Sequence, residues 1–104
     1  NHNLRLPRYS KSIKSSFHLF LINIAFKKLK KNKDHFMKYL NSNNILAQFH
    51  YIPIYKFKIF SEKKINLAGA EDYFKNSISI PIFVNLSNRE QNKIIKVIKN
   101  YFKR

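Results

Sequence analysis

The spacing of apolar residues shifts along the chain, and each shift marks an element. From Ser16 to Phe26, Phe17, Leu19 and Leu21 alternate and then give way to the β-branched Ile22 and Ile24, which predicts a strand. Over 34–43 the spacing lengthens, so that Phe36, Met37 and Leu40 fall on one face of a helix whose first turn Asn32 or Asp34 caps. The cluster Asn41-Ser42-Asn43-Asn44 stops that helix, because short polar side chains compete for backbone hydrogen bonds. Ile45 to His50 reads as a short second strand, and Pro53 ends regular pairing. Tyr55 to Phe60 is aromatic with interspersed lysines and suits a helical turn. Leu67, Ala70 and Phe74 sit at helical spacing in spite of Gly69. Ser79 to Phe83 is extended and broken by Pro81. The last element is the clearest: Ser87-Asn88-Arg89-Glu90 has capping-box form, and Ile94, Ile98, Tyr101 and Phe102 form one apolar stripe.

What lies between these elements is polar. Residues 1–14 are basic, interrupted by Pro7, and read as an extended lead-in to a domain over residues 15–104. Lys27 to Lys33 is a charged connection, taken as a solvated loop with phosphate contact as the alternative. The order of elements predicts a small mixed α/β (α+β) domain, with a short sheet whose one face is covered by helices. A face of this kind usually rests on something else.

Composition narrows the classes. At 104 residues there is room for one domain, and 44% hydrophobic content argues against disorder. The absence of cysteine excludes disulfides, thiolate zinc sites and cysteine nucleophiles, and fits a reducing cytoplasm. The longest apolar stretch, Phe17 to Phe26, falls short of the roughly 20 residues of a membrane helix. Lys27, Lys28, Lys30 and Lys31 follow where a signal peptide would place small residues for cleavage, so neither export nor insertion is expected. A first residue other than Met, with Met37 the only methionine and inside a helix, suggests a piece of a longer product. The formal charge of +16 raises nucleic acid as a partner. However, Lys, Asn, Ile, Phe and Tyr, all encoded by AT-rich codons, are enriched together, and the charges are spread along the chain. Biased composition with solvated lysines is the preferred reading.

Nothing in the sequence makes a self-sufficient active site. A single glycine rules out a phosphate-cradling glycine-rich loop. Glu71 and Asp72 lie on a helix, Glu90 is a cap, and His2, His18, His35 and His50 lack metal-ligand spacing. The segment Gln48-Phe49-His50-Tyr51-Ile52-Pro53-Ile54-Tyr55 is different. A histidine and a tyrosine meet at the end of a strand just before a proline, which points two hydrogen-bonding side chains out of the domain. The plain alternative is a packed Tyr51 and an ordinary surface imidazole.

Beyond these residues, the chain resembles the DegT/DnrJ/EryC1/StrS family of sugar aminotransferases. The stretches that carry the likeness are, in order, Ser15-Ser16-Phe17-His18-Leu19-Phe20, His50-Tyr51-Ile52-Pro53, Ala70-Glu71-Asp72-Tyr73 and Ile78-Ser79-Ile80-Pro81-Ile82-Phe83, followed by Leu86-Ser87 and Glu90-Gln91. The branch it most resembles aminates a UDP-linked 4-keto-6-deoxy sugar on the pseudaminic acid route. The resemblance implies the C-terminal small domain of a fold-type-I aminotransferase, with a mainly antiparallel sheet. It implies pyridoxal phosphate held mainly by a large domain that this chain lacks, with glutamate as amino donor and a homodimeric enzyme. It places His50, Tyr51 and Tyr55 on the nucleotide-sugar side of the cleft, where His50 would hydrogen-bond sugar or phosphate and Tyr51 would wall the pocket. His18 is the weaker candidate, with a structural role. No lysine here sits in the family's Schiff-base context, so no catalytic residue is assigned. The chain departs from the family pattern at Leu46, where a glycine is frequent, at Tyr55, where a second histidine is common, and at Lys58 and Ala68, near which prolines are common.

Two other classes compete with this reading. One is an inactive structural remnant. The other is a basic nucleic-acid-binding module, with Lys27 to Lys33 for phosphate contacts and Tyr55, Phe57 and Phe60 for stacking. The nucleic-acid module predicts tight, salt-steep binding to single-stranded nucleic acid. Weak binding that vanishes at physiological salt, read by fluorescence anisotropy across a salt series, is the outcome expected of biased composition alone.

Overall fold

The computed structural model describes residues 3–60 and 65–103. Its centre is an antiparallel pair, β2 (Phe20–Ile24) and β3 (Ser77–Ile80), which puts Phe20 opposite Ile80 and Ile22 opposite Ile78. A two-residue strand, β1 (Leu4–Arg5), adds to the other edge of β2, so the sheet order is β1-β2-β3. The expected lead-in is therefore partly structural, since Leu4 pairs with Ile24 and packs against the core. Its first two residues lie outside the described ones.

Among the described residues, three helices complete the fold: α1 (Lys33–Ser42), α2 (Ala68–Asn76) and α3 (Asn88–Lys103). Ile22, Ile24 and Ile78 from one face of the sheet join Phe36 and Leu40 of α1 and Ile94, Val97, Ile98 and Tyr101 of α3 in a single buried cluster. The Phe36 ring is its hub, 4.7 Å from Tyr101, 5.5 Å from Phe102 and 5.8 Å from Phe26. The predicted α+β class and antiparallel sheet are both present.

Local chemistry explains the helix ends. Asn32 caps α1, its Oδ1 accepting from the backbone N–H groups of Asp34 at 2.7 Å and His35 at 3.1 Å. At the other end Asn44 adopts φ 58°, a left-handed conformation that asparagine tolerates better than most residues. Its N–H donates to Asn41 O and that of Ile45 to Leu40 O, the pair of bonds that closes a Schellman turn. Ile45 and Leu40 are both buried beneath it. The α3 capping box is complete: Glu90 N–H donates to Ser87 Oγ at 3.3 Å, and Ser87 N–H returns to Glu90 Oε2 at 2.9 Å.

Two expected strands are shorter than their sequence patterns. Phe17 takes φ 49°, which ends extended backbone before β2 begins. Ile45 to His50 forms no strand and keeps only one bridge, Gln48 to Ser79. The reason lies in the partner strand: of the residues flanking Ser79, Pro81 has no N–H, and Ser77 N–H already closes the end of α2 on Tyr73 O. Tyr55 to Phe60 becomes two 3₁₀ turns, Ile54–Lys56 and Lys58–Phe60.

The chain is more open than its length requires. Its radius of gyration is 15.5 Å, against about 13 Å for a compact domain of this size. Leu46, Ile59 and Val84 are 75%, 81% and 102% exposed. No helix among the described residues is long and apolar enough to cross a membrane.

Replacing Phe36 with alanine is expected to cost about 3–5 kcal/mol, because it empties the hub of the cluster. Asn32→Ala is expected to cost about 1 kcal/mol through loss of one cap. Urea unfolding of both variants checks the ranking, and equal losses would mean that the core does not pivot on Phe36.

Candidate functional site

The segment from Gln48 to Tyr55 begins at the free edge of β3, beside the face of the sheet opposite the Phe36 cluster. It is pinned there by two backbone bonds, Gln48 N–H to Ser79 O at 3.0 Å and Ser79 N–H to Gln48 O at 2.7 Å. In β3, Ile78 points into the core, so Ser77 and Ser79 point to this second face, where both are buried. Ser77 Oγ accepts from Asn23 Nδ2 at 3.3 Å. Ser79 Oγ lies 2.8 Å from His50 Nε2 and 3.2 Å from Gln48 O.

His50 and Tyr51 therefore part company. Both were expected to point outward, yet only Tyr51 does, at 74% exposed. Half-buried His50 turns in toward Ser79, with the Tyr51 ring standing edge-on to it at 4.7 Å between centroids. A shallow groove of about 210 Å³ opens beside this network, lined by His18, Leu46, Gln48, Ser79, Pro81 and Phe83 among others. Exposed His18 thus borders the same surface as Ser79.

Tyr55 belongs to a separate cluster. Its hydroxyl donates to Glu71 Oε1 at 3.1 Å, and the same carboxylate takes Lys56 at 2.9 Å and Lys75 at 3.4 Å. These contacts hold the 3₁₀ turn Ile54–Lys56 against α2. Hydrogen bonding from Lys56, above all, holds the Glu71 carboxyl below its ordinary range. Desolvation and the bond to Glu71 push the Tyr55 phenol up.

Lys33 was expected to be solvated, and it is not. Its ammonium donates to the carbonyl of Phe74 and lies 5.1 Å and 4.8 Å from the ring centroids of Phe49 and Phe74. Burial lowers its pKa. Lys31 similarly lies over the Tyr101 ring at 5.0 Å. Part of the basic run is thus turned onto the chain's own aromatic residues, and Tyr55 is held by Glu71. Ser79, Glu71 and Lys33 are the positioning residues that the sequence pattern does not single out, because each acts across a long sequence separation. The alternation in Ser77-Ile78-Ser79-Ile80 was the one available signal for Ser79.

The fold recurs in known proteins. The model of the DegT/DnrJ/EryC1/StrS aminotransferase family matches residues 2–99. This chain belongs to that family. It is 34% identical over 91 residues to the UDP-4-amino-4,6-dideoxy-N-acetyl-beta-L-altrosamine transaminase of Helicobacter pylori, covering 85% of this chain and 24% of the relative. The solved Helicobacter pylori PseC, described as an aminotransferase of pseudoaminic acid biosynthesis, superposes with a TM-score of 0.76 at 33% identity, over 88% of this chain and 25% of that one. Spr1654 from Streptococcus pneumoniae, solved in its PLP form, shares the fold at TM-score 0.80 and 18% identity, over 97% of this chain and 26% of its own. The chain thus spans about a quarter of these family members.

The Glu71 clamp has a defined pH dependence. Because the folded carboxyl titrates below its unfolded value, the clamp's contribution is present above the unfolded pKa and is lost as pH falls through the folded one. Glu71→Gln at neutral pH is expected to speed amide hydrogen exchange over residues 54–60 while leaving α1 and α3 protected. Unchanged exchange there would mean that Glu71 does not hold the turn.

Proposed function

We propose that this chain is the C-terminal small domain of a pyridoxal-phosphate-dependent nucleotide-sugar aminotransferase, residues 15–104 forming most of the domain and residues 1–14 leading into it from a large domain while lending it the edge strand β1. In the complete cytoplasmic homodimer, glutamate gives its amino group and a UDP-linked 4-keto-6-deoxy sugar receives it. The observation that carries this reading is the family match along nearly the whole chain, set against its span of a quarter of its relatives. The open shape and the bare apolar side chains on its surface support a partner domain, since a chain that folds only against another unit leaves such surface uncovered.

Two groups that could serve a cofactor are already engaged within the chain. Lys33, the lysine whose surroundings depart most from water, is held by the Phe74 carbonyl and two rings, and Glu71 is shared among Tyr55, Lys56 and Lys75. Neither offers a free amine or carboxylate to a pyridine ring. In this reading pyridoxal phosphate is held mainly by the large domain, as in the family resemblance, and the role of this one is to close the cleft and orient the sugar nucleotide. His50 and Tyr51 would line the nucleotide-sugar side, with Tyr55 fixing the turn next to them. Exclusion of water and correct placement of the keto group are what such residues contribute.

A transaminase assay with glutamate and a UDP-4-keto-6-deoxy sugar tests this reading. The isolated chain is expected to give no turnover. Joined to the large domain of the Helicobacter pylori relative in place of that enzyme's own small domain, it is expected to support turnover. In that hybrid His50→Ala should lower kcat/KM about tenfold, as expected for one lost hydrogen bond. Turnover by the isolated chain, or an active hybrid indifferent to His50→Ala, contradicts the proposal.

A further inference from the structure

His50 carries a buried ring nitrogen without a hydrogen-bond partner among the described residues, and its neighbours decide which proton that nitrogen holds. Nε2 stands 2.8 Å from Ser79 Oγ, whereas Nδ1 is closed off from water and unpaired. Ser79 Oγ has one proton to give and two possible recipients, Gln48 O at 3.2 Å and His50 Nε2.

The two arrangements differ by one hydrogen bond. If the proton of His50 is on Nε2, it donates to Ser79 Oγ, whose own proton goes to Gln48 O, and both bonds form. If it is on Nδ1, the Ser79 hydroxyl must donate to Nε2 and abandon Gln48 O, while Nδ1–H is a buried donor with no acceptor. Gln48 O keeps its bond from Ser79 N–H in either case, so the second arrangement loses the hydroxyl bond and, more costly, strands a buried donor at Nδ1. The partner of one imidazole nitrogen thus sets the character of the other.

We infer that Ser79, anchored by the Gln48 carbonyl, is a positioning residue that fixes His50 as the Nε2–H tautomer, so that His50 meets its ligand through Nδ1 as a hydrogen-bond acceptor. This deepens the proposed function and rests on it for the ligand. Between sugar and phosphate it selects the sugar, because a phosphate oxygen is itself an acceptor and has no proton to offer, whereas a sugar hydroxyl or acylamino N–H has. Because Nδ1 is closed off from water in this structure, ligand binding includes a local shift that uncovers it, which we assign to the largely exposed Tyr51 ring standing edge-on to the imidazole.

The test is long-range ¹H–¹⁵N correlation NMR of the ¹⁵N-labelled 104-residue chain at alkaline pH, with the His50 signals assigned by their loss in His50→Gln. The expected wild-type pattern is a protonated Nε2 and a bare Nδ1. Ser79→Thr, which keeps the hydroxyl, should preserve that pattern, and Ser79→Ala should move it toward the mixture of a free imidazole. A wild-type spectrum with protonated Nδ1 overturns the inference whether or not the variants fold, as does an unchanged tautomer in folded Ser79→Ala. UDP-N-acetylglucosamine and inorganic pyrophosphate are then added in turn. Displacement of the Nδ1 resonance by the sugar nucleotide alone supports the acceptor role, while displacement by pyrophosphate, or bound sugar nucleotide that leaves Nδ1 unmoved, refutes it. Failure to bind the sugar nucleotide at all counts against the nucleotide-sugar reading of this face, and the tautomer result stands apart from it.

Discussion

The register between β2 and β3 is the constraint on which the rest of the molecule turns. With Ile22 opposite Ile78 and Leu21 opposite Ser79, the two strands present isoleucines to α1 and α3, and β3 presents its serines to the other side beside Leu21 and Asn23. A slip of one residue would reverse both faces at once, burying Ser79 among the aromatic rings and turning Ile78 toward His50. The hydrophobic cluster around Phe36 makes such a slip prohibitive. Packing on one face thereby fixes the polar chemistry on the other.

On that polar face the backbone and the side chains depend on each other. The single bridge between Gln48 and Ser79 brings a carbonyl, a hydroxyl and an imidazole within hydrogen-bonding distance. A full strand over 45–50 would have alternated its side chains regularly across the sheet. The blocked positions at Ser77 and Pro81 instead release the chain after one pair, leaving His50 folded inward and Tyr51 outward. The separate Glu71 cluster does the same for the turn at Tyr55, through charge rather than strand pairing.

Membership of the DegT/DnrJ/EryC1/StrS family gives this geometry a setting. A unit that covers about a quarter of its relatives has open dimensions and exposed Leu46, Ile59 and Val84, apolar surface that the proposed large domain would cover. The positive charge has a plainer meaning than its size suggests. Lys31 and Lys33 lie against the rings of Tyr101, Phe49 and Phe74, and Lys56 and Lys75 neutralise Glu71, so several cations serve the fold itself.

By itself the sequence determined whatever depends on neighbours a few residues apart. The Asn32 cap, the Ser87–Glu90 box, the α3 stripe and the stop at Asn41–Asn44 were all legible, because helix periodicity and capping are local. His50-Tyr51-Ile52-Pro53 was legible as a motif through family resemblance, though not in its geometry. Tertiary structure alone decided that Leu4–Arg5 joins the sheet, that Ile45 to His50 pairs at one residue, and that Lys33 leaves water for two aromatic rings. It also decided which way His50 faces. Each of these depends on a partner from 16 to 41 residues away, and a local pattern carries no record of which backbone groups that partner has already committed.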